Sequence, residues 1–244
     1  MRQHLIGIML TFSGTICAAV SAQNSVGATG LIHIPTAEMQ PAGTLMLGGG
    51  SLPRQMIPNG MHDETDHHYY VNFTMFPFLE TALNFTLLRL HGARHYNNQD
   101  RSGSVRLLLW RQEWCRFLPQ VVVGSNSLLC EGGSSWWQAY YAVITRRWES
   151  PRYGMFSLTA GYYFPWGDYR SYYGRSFGGV AWRPVLLPPH YEKIVTATLI
   201  AEYDSHQINY GLRACLWNRW SYTAAWTRLH HWTWQLCYRV HLSL

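Results

Sequence analysis

The 244-residue chain is 15% aromatic and only 13% charged, with 12 Trp and 16 Tyr, whereas an average soluble domain carries roughly 25% charged residues. Mean hydropathy is −0.15, so apolar residues must be interleaved with polar ones, as in a sheet with one greasy and one wet face. The formal charge of +6 comes from 19 basic against 13 acidic residues, Lys193 being the only lysine; the arginines are scattered rather than striped, which excludes a nucleic-acid reading and leaves anionic sugars or lipopolysaccharide as partners beside a plain solvated surface.

The chain opens on a signal-peptide pattern. Arg2 supplies the positive end, Leu5 to Val20 the apolar stretch and Val20-Ser21-Ala22 the cleavage site, giving 1–22 as the leader. Cys17 follows Gly14-Thr15-Ile16, a poor lipobox, so cleavage after Ala22 is the expectation. Residues 23–42 read as a periplasmic segment and 43–244 as the barrel. No later segment holds the roughly 18 consecutive apolar residues of a membrane helix, and a membrane location then requires a closed barrel.

From Gly43 onward short segments alternate with period two, the mark of a half-buried strand. Twelve strands follow in order: Gly43–Leu52, Tyr69–Met75, Leu83–Leu87, Ser104–Gln112, Gln120–Leu128, Trp137–Arg147, Phe156–Phe164, Phe177–Pro184, Val195–Asp204, Gln207–Trp217, Trp220–Leu229 and Trp232–Leu244. In the tenth, Ile208, Tyr210, Leu212 and Leu216 share one face; Asn209, Arg213 and Cys215 share the other. The fold class expected is all-β, an antiparallel up-and-down transmembrane β-barrel of about twelve strands. Connections after odd strands are mostly long and polar, and those after even strands mostly short, the rhythm of external loops and periplasmic turns. Val185–Ile194 and the links near Ser205 and His230 depart from it. Tryptophans such as Trp110, Trp148, Trp182 and Trp220 gather near strand ends, where interface girdles lie.

Chemistry-bearing groupings are few. His62-Asp63-Glu64-Thr65-Asp66-His67-His68 holds metal-ligand residue types but reads better as a solvated loop. Glu202 and Asp204 project to one side of a strand roughly 6 to 7 Å apart, a spacing weak for paired acid and base; the plainer reading is lumen carboxylates meeting arginines such as Arg106 or Arg213. There is no GxSxG elbow, no phosphate loop after Gly48-Gly49-Gly50 and no CxxC, so no catalytic residue, metal or cofactor is expected. The glycine run suits bending or close approach within a strand. Cys115 and Cys130 fall near opposite ends of a hairpin, and Cys215 and Cys237 sit two strands apart, roughly 9 to 10 Å, beyond disulfide reach; free thiols are expected.

Four strings act together. Gly30-Leu31-Ile32-His33-Ile34-Pro35-Thr36-Ala37-Glu38-Met39 resembles the start of the YjbH-type exopolysaccharide-biosynthesis proteins. Asp100-Arg101-Ser102 before a strand, Phe177-Gly178-Gly179-Val180-Ala181-Trp182, and Ala201-Glu202-Tyr203-Asp204-Ser205 are similar to that family in the same order. The resemblance implies an outer-membrane barrel, not an enzyme, that assists biosynthesis, export or surface assembly of an extracellular polysaccharide. Its partners would be outer-membrane lipid and lipopolysaccharide, exopolysaccharide and other polysaccharide-secretion proteins. Gly30, Pro35, Thr36, Asp100, Arg101, Gly179 and Trp182 are the residues the motifs single out; Asp100 and Arg101 are expected to lock a loop onto a strand. The alternatives are a structural or general-diffusion porin without a glycan role, a barrel enzyme acting on lipid or sugar, and a soluble secreted β-domain.

Overall fold

A computed structural model describes residues 22–242 apart from 54–55, 57–64, 89–97, 116, 131–134, 167–171, 187 and 193. The signal-peptide reading therefore lies outside the described residues except at Ala22, and of the metal-type string only Thr65–His68 falls within them, as the start of a strand.

Two short strands come first, β1 (Ala22–Gln23) and β2 (Thr29–Gly30), paired antiparallel. Twelve longer strands follow: β3 (Thr44–Pro53), β4 (Thr65–Phe76), β5 (Leu79–Leu88), β6 (Asn98–Trp110), β7 (Gln120–Cys130), β8 (Ala139–Ser150), β9 (Gly154–Pro165), β10 (Ser176–Arg183), β11 (Val195–Tyr203), β12 (Ile208–Leu216), β13 (Trp220–Thr227) and β14 (His231–His241). Each pairs antiparallel with the next, and β14 closes on β3 from Gln235↔Gly50 to His241↔Thr44. The result is a closed up-and-down barrel of twelve strands with no free edge. All twelve strands expected from the sequence are present. A short helical turn, Pro189–Glu192, interrupts the connection after β10.

Both ends of the sheet, at Thr44 and His241, lie at the rim that carries the connections 77–78, 111–119, 151–153, 184–194 and 217–219, called here the turn end. The opposite rim, the loop end, carries 54–64, 89–97, 131–138, 166–175, 204–207 and 228–230. The expected alternation of length holds for the first strands and weakens where 184–194 is long and 204–207 short. Two connections close by left-handed backbone at ordinary residues: Trp217 and Asn218 (φ 50° and 55°), and Arg228 and Leu229 (φ 55° and 61°). That geometry matches the strand twist in tight hairpins.

Side chains are distributed inside out relative to a soluble domain. On β12, Asn209, Arg213 and Cys215 are buried while Ile208, Tyr210, Leu212 and Leu216 are exposed. Around the wall, Leu83, Ile208, Trp226 and Phe164 remain 55%, 53%, 53% and 52% exposed. Inward-facing positions mix polar side chains with buried rings and aliphatics such as Tyr70, Tyr141, Tyr163 and Val122, and three are glycines covered by the ring of a cross-strand partner: Gly48 by Tyr70, Gly124 by Tyr141 and Gly161 by Phe177. A Cβ at any of these would collide with the ring, so the glycine run contributes close approach, as its composition suggests.

Residues 23–42, read from the sequence as a periplasmic segment, are packed within the barrel for most of their length. Ala22 to Ala37 are buried apart from the half-buried Val26. Leu31, Ile32, Ile34 and Ala37 join Leu52, Met56, Val122, Val143, Tyr163 and Phe177 in one apolar cluster. The lumen is thus not simply polar: an irregular segment fills it and brings its own small core. The four described cysteines are free thiols, as expected.

Candidate functional site

The inserted segment turns sharply at its tip. Leu31 N–H donates to the Ile34 carbonyl at 3.0 Å and Thr36 N–H to the Thr29 carbonyl at 3.1 Å, with a bridge between Gly30 and Pro35. Proline fixes its own φ and cannot donate, which keeps the returning strand from extending into a longer ladder. An irregular backbone of this kind leaves amides and carbonyls unpaired, and buried unpaired groups are costly. The wall supplies the partners.

Acceptors meet the amides. Glu202 on β11 receives Ile32 N–H at 2.9 Å and His33 N–H at 2.8 Å, one on each carboxylate oxygen. Glu80 on β5 receives the Thr29 N–H at 2.9 Å and its hydroxyl at 2.7 Å, and the Thr145 hydroxyl on β8 receives Ala37 N–H at 2.8 Å. Donors meet the carbonyls. Arg213 on β12 reaches Gly30 and Leu31 oxygens at 3.1 and 2.6 Å. Arg106 on β6 reaches those of Thr29 and Thr36, both at 2.5 Å, and of Glu38 at 2.8 Å. Asn72 holds Gly27 at 2.8 Å and Gln235 holds Ile32 at 3.1 Å. Hydrogen bonds to ionised groups are about twice as strong as neutral ones, and here two carboxylates and two guanidiniums grip mainly backbone.

The carboxylate–arginine pairs expected for Glu202 and Asp204 are not what forms. Glu202 is saturated by the segment's amides and by Asn209 at 3.3 Å. Asp204 caps its own turn, accepting from His206 and Gln207 N–H at 3.0 and 2.9 Å, and takes Asn209 at 3.0 Å and the Tyr172 hydroxyl at 3.3 Å. Arg106 instead has Glu80 at 3.7 Å. Glu80 was not singled out in the sequence, although alternation places it inward and register places it opposite Arg106. Asp100 and Arg101 lie inside β6, opposite Thr86 and Phe85, rather than in a loop before it. Trp182 faces outward and donates to the Tyr153 carbonyl at 2.8 Å.

Three of the four sequence strings meet at one point. A Cβ on Gly179 would sit 2.7 Å from Leu31, 2.9 Å from the Ala201 carbonyl and 3.0 Å from Glu202. The tip of the first string therefore docks between the second glycine of one and the glutamate of another. Above it, toward the loop end, Tyr163 stacks on Tyr173 and packs tilted against Phe177, each at 4.2 Å between ring centres. His33 is enclosed, its ring within 3.0 Å of Ser25 Oγ; burial lowers its pKa from the ordinary histidine value to about 4, with Asp204 opposing. Burial, aided by the Asp204 carboxylate, raises the Tyr172 phenol well above its usual value.

Comparison with known proteins bears on the same residues. A family described as "Exopolysaccharide biosynthesis protein YbjH" (YjbH) matches residues 22–174, from the inserted segment through the first seven barrel strands. The chain belongs to the YjbH family. A curated relative, "Uncharacterized lipoprotein YjbH" of Escherichia coli (strain K12), is 27% identical over 184 residues, covering 68% of this chain and 22% of the relative. The chain thus spans about a fifth of that YjbH protein. Within the family match lie the segment itself and four of these holders, Asn72, Glu80, Arg106 and Thr145, whereas Glu202, Arg213 and Gln235 lie beyond it.

Proposed function

We propose that this chain is an outer-membrane β-barrel that serves the biosynthesis, export or surface assembly of an extracellular polysaccharide, without itself catalysing a reaction or carrying a cofactor. The observation that carries the membrane reading is the closed twelve-strand sheet with large apolar side chains on its outer face and the buried Glu80, Arg106, Glu202 and Arg213 within. Such a surface suits hydrocarbon, and closure pairs each strand with a neighbour on both sides, the condition for a sheet to lie in lipid. Family membership supports the polysaccharide role. The proposed partners are outer-membrane lipid and lipopolysaccharide around the wall, and exopolysaccharide and other secretion proteins at the rims.

The burial of residues 22–37 against the inner wall favours an anchoring and assembling part over an open conduit. A general-diffusion porin would need the conduit. The curated relative's name gives Cys17 a second reading as a lipid-bearing residue, beside cleavage after Ala22; the intact mass of the mature protein separates the two.

Fractionation of the native host tests location: the protein is expected in the outer-membrane fraction, with a mobility shift on boiling. A deletion strain is expected to lose surface polysaccharide and to regain it from the wild-type gene. Recovery as a soluble periplasmic protein would remove the membrane reading, and unchanged polysaccharide would remove the glycan role.

A further inference from the structure

The outer wall of β8–β10 at the turn end carries a patch with a definite order. Register sets Trp148, Phe156 and Trp182 side by side on three neighbouring strands, and all three are exposed. Trp148 and Phe156 are in tilted contact, 5.8 Å between ring centres. The Trp182 indole N–H donates to the Tyr153 carbonyl at 2.8 Å and ties the row to the 151–153 turn. Two residues further from the rim the outward side chains are Leu158 and Val180, and Ile144 follows on β8. The surface therefore passes from a turn, through a row of rings, to aliphatic side chains.

Two guanidiniums border the row. Arg152, exposed in the turn, lies 5.3 Å from the centre of the Tyr153 ring. It makes no ion pair among the described residues. Arg146 starts on the far side of the rings, opposite Leu158, and bends toward the rim. Its guanidinium lies 5.4 Å from the centre of the Trp148 ring and donates to the Phe117 carbonyl at 2.9 Å. Long cationic side chains near a membrane boundary reach out of the hydrocarbon in this way. The described carboxylates of this rim are engaged beside the patch. Glu113 and Glu149 meet Arg147 at 3.8 and 3.3 Å, and Glu192 lines a separate rim pocket with Arg183. The patch is left with positive charge at its edge and apolar surface above.

We propose that this patch holds an anionic phospholipid, with the headgroup phosphate on Arg152 and the glycerol and first acyl carbons over the Trp148, Phe156 and Trp182 rings. A guanidinium suits phosphate oxygens, and amphipathic rings suit the depth between headgroup and chain. Leu158, Val180 and Ile144 then meet the acyl chains, in the order a lipid presents its parts. A sugar chain stacked on the rings is the poorer fit, because the neighbours above the row offer its hydroxyls no partner. Short connections mark the periplasmic side of such barrels, which assigns the site to phospholipid and not to lipopolysaccharide. This names a lipid class and its residues within the membrane reading above and rests on that reading.

The test is native mass spectrometry of the full chain, folded in detergent micelles doped with equal amounts of phosphatidylglycerol and phosphatidylcholine. Wild type is expected to keep the anionic lipid over the zwitterionic one. Arg152→Gln is expected to lower that ratio about fivefold, the effect of one basic side chain at an anionic surface, with the mobility shift on boiling intact. Arg152→Lys, which keeps the charge, is expected to retain most of the ratio. Trp182→Leu is expected to lower retention of both lipids and leave their ratio unchanged. Arg228→Gln, in the exposed connection at the loop end, is expected to match wild type. Equal retention of the two lipids by wild type, an unchanged ratio in Arg152→Gln, full retention in Trp182→Leu, or the same loss in Arg228→Gln would each overturn the site. So would displacement of phosphatidylglycerol by inorganic phosphate, which marks a bare anion site, or by a neutral oligoglucan, which marks a sugar platform. Any of these beside an intact heat shift and outer-membrane fractionation sinks the patch alone, whereas a soluble periplasmic protein sinks the membrane reading with it.

Discussion

Glu202 accepts two adjacent amides of a tight turn, and nothing else at that position does the same with charge. Glu202→Gln keeps the shape but offers one acceptor oxygen and an unwanted donor. It is expected to cost about 1.5–3 kcal/mol, the range for hydrogen bonds to charged groups, read as a lower urea midpoint in micelles. His33 gives a pH signature. Its pKa is about 4 when folded against an unfolded value near 6.5, so between those values the unfolded chain binds the extra proton. Stability therefore falls as pH drops through that window and levels off below it; His33→Gln is expected to flatten the slope in urea titrations from pH 7 to 4. Alternation made Arg106, Glu202 and Arg213 legible as inward-facing residues. Their partners were not legible, because a backbone amide or carbonyl has no side-chain signature, and the sequence instead suggested that these charges meet each other.

At the level of elements, the strands were readable because period two repeats within each one. Their limits were less so: β6 begins at Asn98, taking Asp100 and Arg101 into the ladder, since polar residues continue a strand once its neighbour supplies the pairing. The inserted segment has no period to read. Gly30 and Pro35 announce a turn, but not that the turn is buried. If the segment is the seal, wild-type protein in planar bilayers is expected to be nearly silent. Glu202→Ala combined with Arg213→Ala, which frees the tip while leaving every strand paired, is expected to show intermittent conductance. Equal silence in both proteins would assign the seal to other lumen side chains, such as the Tyr163, Tyr173 and Phe177 cluster.

For the whole molecule, strand number followed from counting repeats, and closure from the need to leave no edge in an apolar surround. What fills the centre did not follow, because a barrel of this size accepts either water or protein inside. The apolar core of the lumen, with Ile32, Ile34, Val122 and Tyr163, borrows residues from outside the alternating pattern and from inward positions that individually look unremarkable. Of the charged groups that grip the segment, Arg106 and Glu80 also meet each other at 3.7 Å, whereas Glu202 and Arg213 each hold backbone of the segment.

The tip of the inserted segment is bound by residues up to 203 positions later in the chain, as in the bond from Gln235 to Ile32. The first described stretch thus waits for the last strand before its contacts are complete. Contacts so distant in sequence carry a large closure entropy and slow folding. A strand-by-strand ring that shut first would leave no opening through which a bent, hydrogen-bonded turn could be threaded. The order of assembly is therefore built into the connectivity: the sheet rolls up around its own beginning, and the segment acts as a mandrel that later strands are fitted to.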